Sequence, residues 1–512
     1  MKYQFKRYAL ALVMACAVVA PSFGAAIVST SGGAVYQQFK QPAIGAVPVT
    51  VNAKLAETIS ARDFGVIANG VTDSTAALNA FLTAAANRTA FLPAGNYYFK
   101  GVLRVPENTR VVGEGYATRL HPVNADGNTM TMTSNSSLEN LRLEGATPGG
   151  ITISEGASNV MIDKVFFKGV NQSVWLHDAT QVTVQNSVFD TVKYGVIQQS
   201  GKSSSHVKVI NNTARNMTGD FVEANCASAA PSEDWIISGN QFLGSAGFPE
   251  VATEQRFVGI TSVKNVTITN NIVKNVAGDS AVHLEDTRGR VTVSGNQFSN
   301  SVGTNYLYLL HSEKDVIVSN NWFIQDDMTL PKMTMIGMNS NVYTNAVSII
   351  GNHFVGSANM TVTAIGAETH TNIKIIGNTF ESIKTAISGS STKNVIINSN
   401  EFDNVDQCVV GASYGPTGGA FSDVTMTGNR FNCNTDAVYV RRNTSGSAQS
   451  ERWTVTGNYF GANATANDTA DFLVTGNTVA AGKTMNFGGT QYAGSVRYFQ
   501  SNNLQIGSGL VP

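Results

Sequence analysis

From about residue 180 the chain alternates apolar and polar side chains in short bursts that share one phrase, Val/Ile-x-Val/Ile-x-x-Asn-x-Phe. Full copies include Trp235-Ile-Ile-Ser-Gly-Asn-Gln-Phe242, Val291-Thr-Val-Ser-Gly-Asn-Gln-Phe298, Val316-Ile-Val-Ser-Asn-Asn-Trp-Phe323, Ile373-Lys-Ile-Ile-Gly-Asn-Thr-Phe380 and Trp453-Thr-Val-Thr-Gly-Asn-Tyr-Phe460. Two early copies are imperfect: Ser187 stands at one Asn position, and Ala214 stands at one Phe position. Alternation with period two predicts a strand. Gly-Asn or Asn-Asn then predicts a turn, because both residues tolerate left-handed backbone angles. The Phe re-enters the core.

The Asn falls at 240, 271, 296, 321, 352, 378, 400, 429 and 458, so the period runs from 22 to 31 residues. A unit that short cannot bury its own apolar face and must stack on its neighbours. A propeller blade needs about 40–45 residues. The prediction is therefore an all-β fold, a right-handed parallel β-helix solenoid, with Asn on Asn and Phe on Phe. A second strand family precedes many copies: Ser173–Asp178, Asp220–Asn225, Phe257–Thr261, Ser280–Glu285, Tyr306–His311 and Ala437–Arg441. These should form one sheet along the helix. Variable steps place loops of different length at one corner, where a groove would be built.

The head of the chain departs from the phrase. Asp73 or Ser74 is a helix N-cap candidate, and Leu78, Phe81 and Leu82 give the following helix one apolar face. Residues 58–120 read as a short N-terminal helical cap plus the first coil, 121–480 as the β-helix, and 481–512 as a C-terminal cover where the phrase fades.

Composition agrees with turns and strands rather than charged helices: 48 Gly, 12 Pro and 13% charged residues in 512. The net charge is −1, which excludes a purely electrostatic nucleic-acid binder. Lys2, Lys6 and Arg7 precede an apolar run over 9–20, and Ser22 and Gly24 fit a small-residue cleavage site. This is a secretory signal over 1–24, with cleavage after Gly24 and a secreted or periplasmic product. The run is short of the ~20 residues that span a bilayer, and no later run is longer, so no stable membrane span is expected. Val13-Met-Ala-Cys16 is a competing lipobox. Residues 25–57 form an N-terminal extension. Beyond the signal stand Cys226, Cys408 and Cys433. A Cys408–Cys433 bridge suits an oxidising compartment, and burial as small apolar residues is the alternative.

The head residues carry a resemblance. Asp63-Phe-Gly, Asn69-Gly70, Thr72-Asp73, Thr75-Ala-Ala-Leu78, Leu92-Pro-Ala-Gly95 and Gly113-Glu-Gly115 resemble the N-terminal signature of the pectate-lyase-like β-helix superfamily. That group includes pectin and alginate enzymes, fungal-type glucanases, C5 epimerases and phage tailspike depolymerases. The resemblance implies the fold and a polysaccharide partner, and leaves the reaction open. Asn434-Thr-Asp436 matches one polygalacturonase motif, but no Asp-Asp, Gly-His-Gly or Arg-Ile-Lys follows it, so it reads as a corner. The Asp-Pro-His of alginate epimerases and the paired-Arg calcium motif of pectate lyases are absent too.

Candidate chemistry falls on the second strand family. Glycoside hydrolysis needs two carboxyls flanking the scissile bond. Glu223 and Glu285 occupy similar strand positions with one strand between them, a spacing of about 9.5 Å, near the upper end of the ~6.5–9.5 Å inverting range. Asp286 is an alternative partner. His283 and His311 could tune a carboxyl or act as base. Trp175, His177, Tyr308 and Tyr439 are substrate-binding candidates, and Arg441 could pair with a uronate. No metal site is read from spacing, and a calcium ion and a homo-oligomer are left open. The leading expectation is an exported polysaccharide-cleaving hydrolase. The alternatives are a lyase, which would want more Arg, Lys or calcium ligands in the groove, an epimerase, and a non-catalytic glycan-binding or surface-assembly protein.

Overall fold

The computed structural model describes residues 38–511 except 124–126, 146–148, 228, 245–247, 249–254, 312–314, 340–345, 358–361, 414–419, 443–449, 467–468, 488–497 and 507–508. The signal-like segment with Cys16 and the cleavage point lies outside the described residues, as does the side chain of Arg441. Part of the N-terminal extension forms its own small sheet, in which Gln38–Phe39 pairs antiparallel with Val49–Thr50.

The rest is a right-handed parallel β-helix. Among the described residues, 48 strands form one continuous hydrogen-bonded system. In a typical coil the chain passes through three sheets. The first-sheet strand carries the Val-x-Val pattern (Ser232–Ser238, Val263–Thr269, Arg288–Ser294). The second-sheet strand follows the Asn turn (Gln241–Phe242, Ile272–Val276, Gln297–Ser301). The third-sheet strand is the second family read from the sequence (Val222–Asn225, Val258–Thr261, Ser280–Glu285, Asn305–Leu310). Each strand pairs in parallel with its counterpart one coil away.

The phrase explains the corner between the first two sheets. Its residue before the Asn takes a positive φ, as at Gly239, Asn270, Gly295 and Asn320. The Asn itself is buried, and its amide must therefore be satisfied internally. Asn240 Nδ2 donates to Val209 O at 2.8 Å and to Asn271 Oδ1 at 3.1 Å, while Asn240 N donates to the same Oδ1 at 2.8 Å. This arrangement repeats without interruption from Asn212 to Asn503. The Phe that follows enters the core, and Phe298, Phe323, Phe354, Phe380, Phe402, Phe431 and Phe460 stack at 4.8–5.2 Å.

The regular coil runs beyond residue 480. Tyr498–Ser501 and Asn503–Gln505 pair in parallel with the coil below, and Asn503 Oδ1 accepts from Asn477 N. The phrase is hard to follow there because Gln500 and Gln505 stand where Val and Phe would. The chain then turns back, and Gly509–Val511 lies antiparallel on Asn503–Gln505, which covers that edge strand.

At the other end a helix, Thr75–Ala84, buries Leu78, Phe81 and Leu82 against the first coils. Ser74 occupies the cap position, but the capping bond comes from Asp73, whose Oδ1 accepts from Thr75 N at 3.0 Å. The remaining head residues are structural: Asn69 Oδ1 accepts from Val71 N and Thr72 N, and Glu114 Oε2 accepts from Ala94 N. Gly113 has no room for a side chain, since a Cβ would lie 2.7 Å from Asn140 O. Cys408 and Cys433 form a disulfide between adjacent coils, with Cα atoms 6.1 Å apart. Cys226 is free and buried, with its Sγ 2.9 Å from Ser232 Oγ.

Candidate active-site face

Strand alternation turns every second residue of the third sheet outward. Register then defines two outward columns. The first runs Trp175, Ile197, Glu223, Gly259, His283, Tyr308, Gly337, Gly366, Ser388, Val410, Tyr439. The second, two residues further along each strand, runs Asn225, Thr261, Glu285, Leu310, Asn339, Glu368.

These columns bring six of the candidate residues together. Glu223, His283 and Tyr308 lie in the first column, Glu285 lies in the second, and Asp286 and His311 lie at the corner just after it. Trp175 is four coils from His283, about 19 Å, and Tyr439 is six coils away, about 29 Å. His177 follows Trp175 and packs edge-on to it at 4.6 Å. The Trp175–His177 pair and Tyr439 thus stand apart from the central group.

Glu223 and Glu285 do not occupy equivalent positions. Glu223 is in register with Gly259 and His283, and Glu285 with Thr261 and Asn225. Two coils and one strand repeat separate them, so the Cα distance is about 12 Å rather than the 9.5 Å of a shared column. Glu223 turns toward the second column, where its Oε1 accepts from Asn225 Nδ2.

Gly259 interrupts the first column between Glu223 and His283. A Cβ there would lie 2.6 Å from Asp220 Oδ2 and 3.6 Å from Arg256 Cδ. The space is taken by an ion cluster at the corner leading into the third sheet. Arg256 binds Asp279 through two bonds, Nε to Oδ1 at 2.7 Å and Nη2 to Oδ2 at 2.8 Å. Its Nη1 is 3.5 Å from Asp220 Oδ2, and its backbone N donates to Asp220 Oδ1 at 2.8 Å. Asp220 is only 3% exposed, and burial pushes its carboxyl up to about 6 despite Arg256. Asp279 goes the other way: its bonds to Arg256 outweigh burial and lower it. Arg256 therefore belongs chiefly to Asp279. Sequence reasoning missed all three, although Asp220 opens one strand of the second family and Arg256 and Asp279 immediately precede two others.

His283 meets this cluster from one coil above. Burial, followed by the Arg256 charge, lowers its basicity. Both ring nitrogens are shut off from solvent and lack a hydrogen-bond partner among the described residues. Nε2 lies 3.6 Å from Glu285 Oε2, and the Tyr308 ring sits edge-on at 5.3 Å. Tyr308 leans over Gly337, whose Cβ would lie 3.1 Å from the ring; burial raises its hydroxyl. Asp286 and His311 form a second acid–imidazole pair at 3.5 Å. One donor atom each from Glu285, Asp286 and His311 lie within 4.8 Å of one another, close enough to share a cation.

Other features carry less. Asn434, Thr435 and Asp436 bond to Asn404, Asp406 and Gln407 of the neighbouring coil, as a corner would. A first-sheet concavity lined by Asp234, Asn265, Arg290 and Asp315 is cross-linked internally: Asn265 donates to Asp234 and accepts from Arg290 N. Among the described residues no helix is long and apolar enough to cross a membrane.

Comparison with known proteins matches two family profiles. Residues 150–323 match "Right handed beta helix region", and residues 58–125 match "Rhamnogalacturonase A/epimerase, pectate lyase-like". A 64-residue stretch is 39% identical to the non-secreted LysM effector LysM19 of Penicillium expansum, covering 12% of this chain and only 5% of that protein. Among solved structures, ORF18 of Geobacillus virus E2 is similar at 13% identity, covering 67% of this chain and 73% of that one, with a TM-score of 0.48. The catalytic unit of the GH87 α-1,3-glucanase from Streptomyces thermodiastaticus is similar at 15% identity, covering 88% and 69%, with a TM-score of 0.42. Its three-sheet coils and the profile match over 150–323 make the chain a right-handed parallel β-helix protein, and its head over 58–125 is similar to the pectate-lyase-like family.

Proposed function

We propose that the protein is an exported enzyme that cleaves glycosidic bonds of a polysaccharide lying along the third sheet. The observation that carries this reading is the break in repetition there. Over four coils the outward columns hold Glu223, Gly259, His283, Tyr308 and Glu285, while the asparagine corner of the same coils does not change. The match of residues 58–125 to a profile named for rhamnogalacturonase and epimerase adds support for a glycan ligand. The signal-like segment supports export.

Hydrolysis is the favoured chemistry. The face is rich in carboxyls, and a backbone offset of about 12 Å leaves room between Glu223 and Glu285 for a sugar and a water. That suits an inverting pair, whose carboxyls stand ~6.5–9.5 Å apart, better than a retaining pair at ~5–5.5 Å. The second reading is elimination, favoured by the His283 imidazole, which lies beside Tyr308 and whose ring nitrogens have no hydrogen-bond partner among the described residues. Against it, Arg256 is already committed to Asp279 and Asp220, so it is poorly placed to neutralise a uronate.

The experiment is a screen of the purified protein on bacterial and plant polysaccharides, reading reducing ends and unsaturated-uronate absorbance together. Reducing ends without absorbance are expected. Both signals together would establish a lyase. Glycan binding without either would establish a non-catalytic role.

A further inference from the structure

We propose that Glu285, Asp286 and His311, with His283 beside them, form a binding site for a divalent transition-metal ion of the zinc type.

The backbone assembles the donors. Adjacent residues of a strand point to opposite faces, so Glu285 and Asp286 would normally diverge. Asp286 instead has φ +48°, and His311, at the same corner one coil on, has φ +51°. Both turn back, and one donor atom from each of the three residues falls within 4.8 Å of the others. The His311 Nδ1 to Asp286 Oδ1 distance is 3.5 Å, the spacing of two ligands on one ion with metal bonds of about 2.0–2.2 Å.

Charge points the same way. Among the described residues, the ion-pair partners of Glu285 and Asp286 are imidazoles, His283 at 3.6 Å and His311 at 3.5 Å. Two carboxylates thus lie side by side without a Lys or Arg partner among the described residues, and the neighbouring Arg256 is held by other acids.

An independent observation comes from His283. Both of its ring nitrogens are shut off from solvent and, among the described residues, have no partner within hydrogen-bond distance, and Nε2 faces Glu285 at 3.6 Å. Leaving such a buried polar atom unbonded is costly. A cation held by Glu285 would give that nitrogen a partner.

The donor set selects the ion. Two carboxylates with one or two imidazoles suit zinc and its neighbours. Calcium takes six to eight oxygen ligands, and this cluster offers too few. The site shares Glu285 with the proposed cleavage face, but metal binding is read without any glycan, so the two proposals fail separately.

The test uses tag-free, chelator-treated full-length protein, titrated with ZnCl2 by calorimetry and with CoCl2 by visible absorption. The expected result is one saturable site per chain with a tetrahedral cobalt band. Affinity should fall by at least about tenfold in His311→Ala and in Asp286→Asn, with unchanged circular dichroism. Calcium should compete only weakly. No zinc or cobalt binding, tighter binding of calcium than zinc, or binding that both variants retain would overturn the proposal. If one variant fails to fold, the other and the cobalt spectrum of the parent protein still decide it.

Discussion

At the asparagine corner, coil after coil places the same side chain in the same slot, from Asn212 to Asn503. On the third sheet, the slot that holds Glu223 holds Gly259, His283 and Tyr308 in the next three coils. Both regions are built from the same parallel ladder. Repetition at the corner lets each amide bond the next and each Phe stack on the next, so identity itself is stabilising. On the third sheet the inward residues keep the core filled, and the outward ones are free to differ. In a stacked fold, then, a column whose residues change from coil to coil is free of the constraint that fixes the corner and is where a ligand face can be built.

The contrast can be broken most severely at the corner. Asn352 Oδ1 accepts from Asn321 N and Nδ2, and its own Nδ2 donates to Val318 O and Asn378 Oδ1. Asn352→Ala strands several of these groups in the core and should cost roughly 3–5 kcal/mol. Phe380→Ala opens a gap in the ring stack and should cost about as much, 3–5 kcal/mol. Urea unfolding measures both. A cost under about 1 kcal/mol for either would mean the ladder is ornament. Next comes the disulfide: Cys408→Ser with Cys433→Ser should lower stability by about 2–4 kcal/mol and leave glycan binding unchanged.

Smaller effects sharpen the picture of the third sheet. Gly259→Ala forces a Cβ to within 2.6 Å of Asp220 Oδ2. It should cost about 1–3 kcal/mol, whereas alanine at the outward Gly366, where the nearest obstacle is the Thr334 methyl group at 2.9 Å, should cost less. Equal costs at the two positions would contradict the assigned packing of the Asp220–Arg256 cluster. The smallest signal is in pH. The Asp220 carboxyl is raised from 3.8 to about 6 in the folded protein, so the native state binds the extra proton. Its contribution to stability is fully present below 3.8 and is lost as pH rises through about 6. Asp279 is lowered and has the opposite sign, losing its contribution as pH falls below its ordinary range. Asp220→Asn should therefore flatten the fall in stability between about pH 4 and 6. A variant with the parent's slope would show that Asp220 titrates normally.

The fold was legible because its signal repeats. Asn and Phe recur at positions that sterics and buried amides dictate, and one copy calibrates the next. The signal failed where substitution hid it, as at Gln505 in the last coil. The candidate face was legible only in part. Glu223, Glu285 and His283 lie on the expected strands, but the two carboxyls fall in different columns. Aligning Asp220–Asn225 with Ser280–Glu285 sets Glu223 against His283 and Asn225 against Glu285, so that offset was readable. The Asp220–Arg256–Asp279 cluster was not. Arg256 sits at the end of a long corner, and only the space left by Gly259 shows that its partners meet there. Nor could spacing reveal that Asp286 and His311 turn back toward Glu285, because that depends on two left-handed backbone angles at non-glycine residues.

The central claim is that the third-sheet face cleaves a polysaccharide with its carboxyls. Its most direct test is the initial rate of reducing-end release, on the polysaccharide found by screening, for the parent protein, Glu285→Gln and Glu223→Gln. The account predicts that each variant folds normally and loses about 10²–10⁴-fold in rate, with glycan binding retained. Full activity in both variants would contradict it.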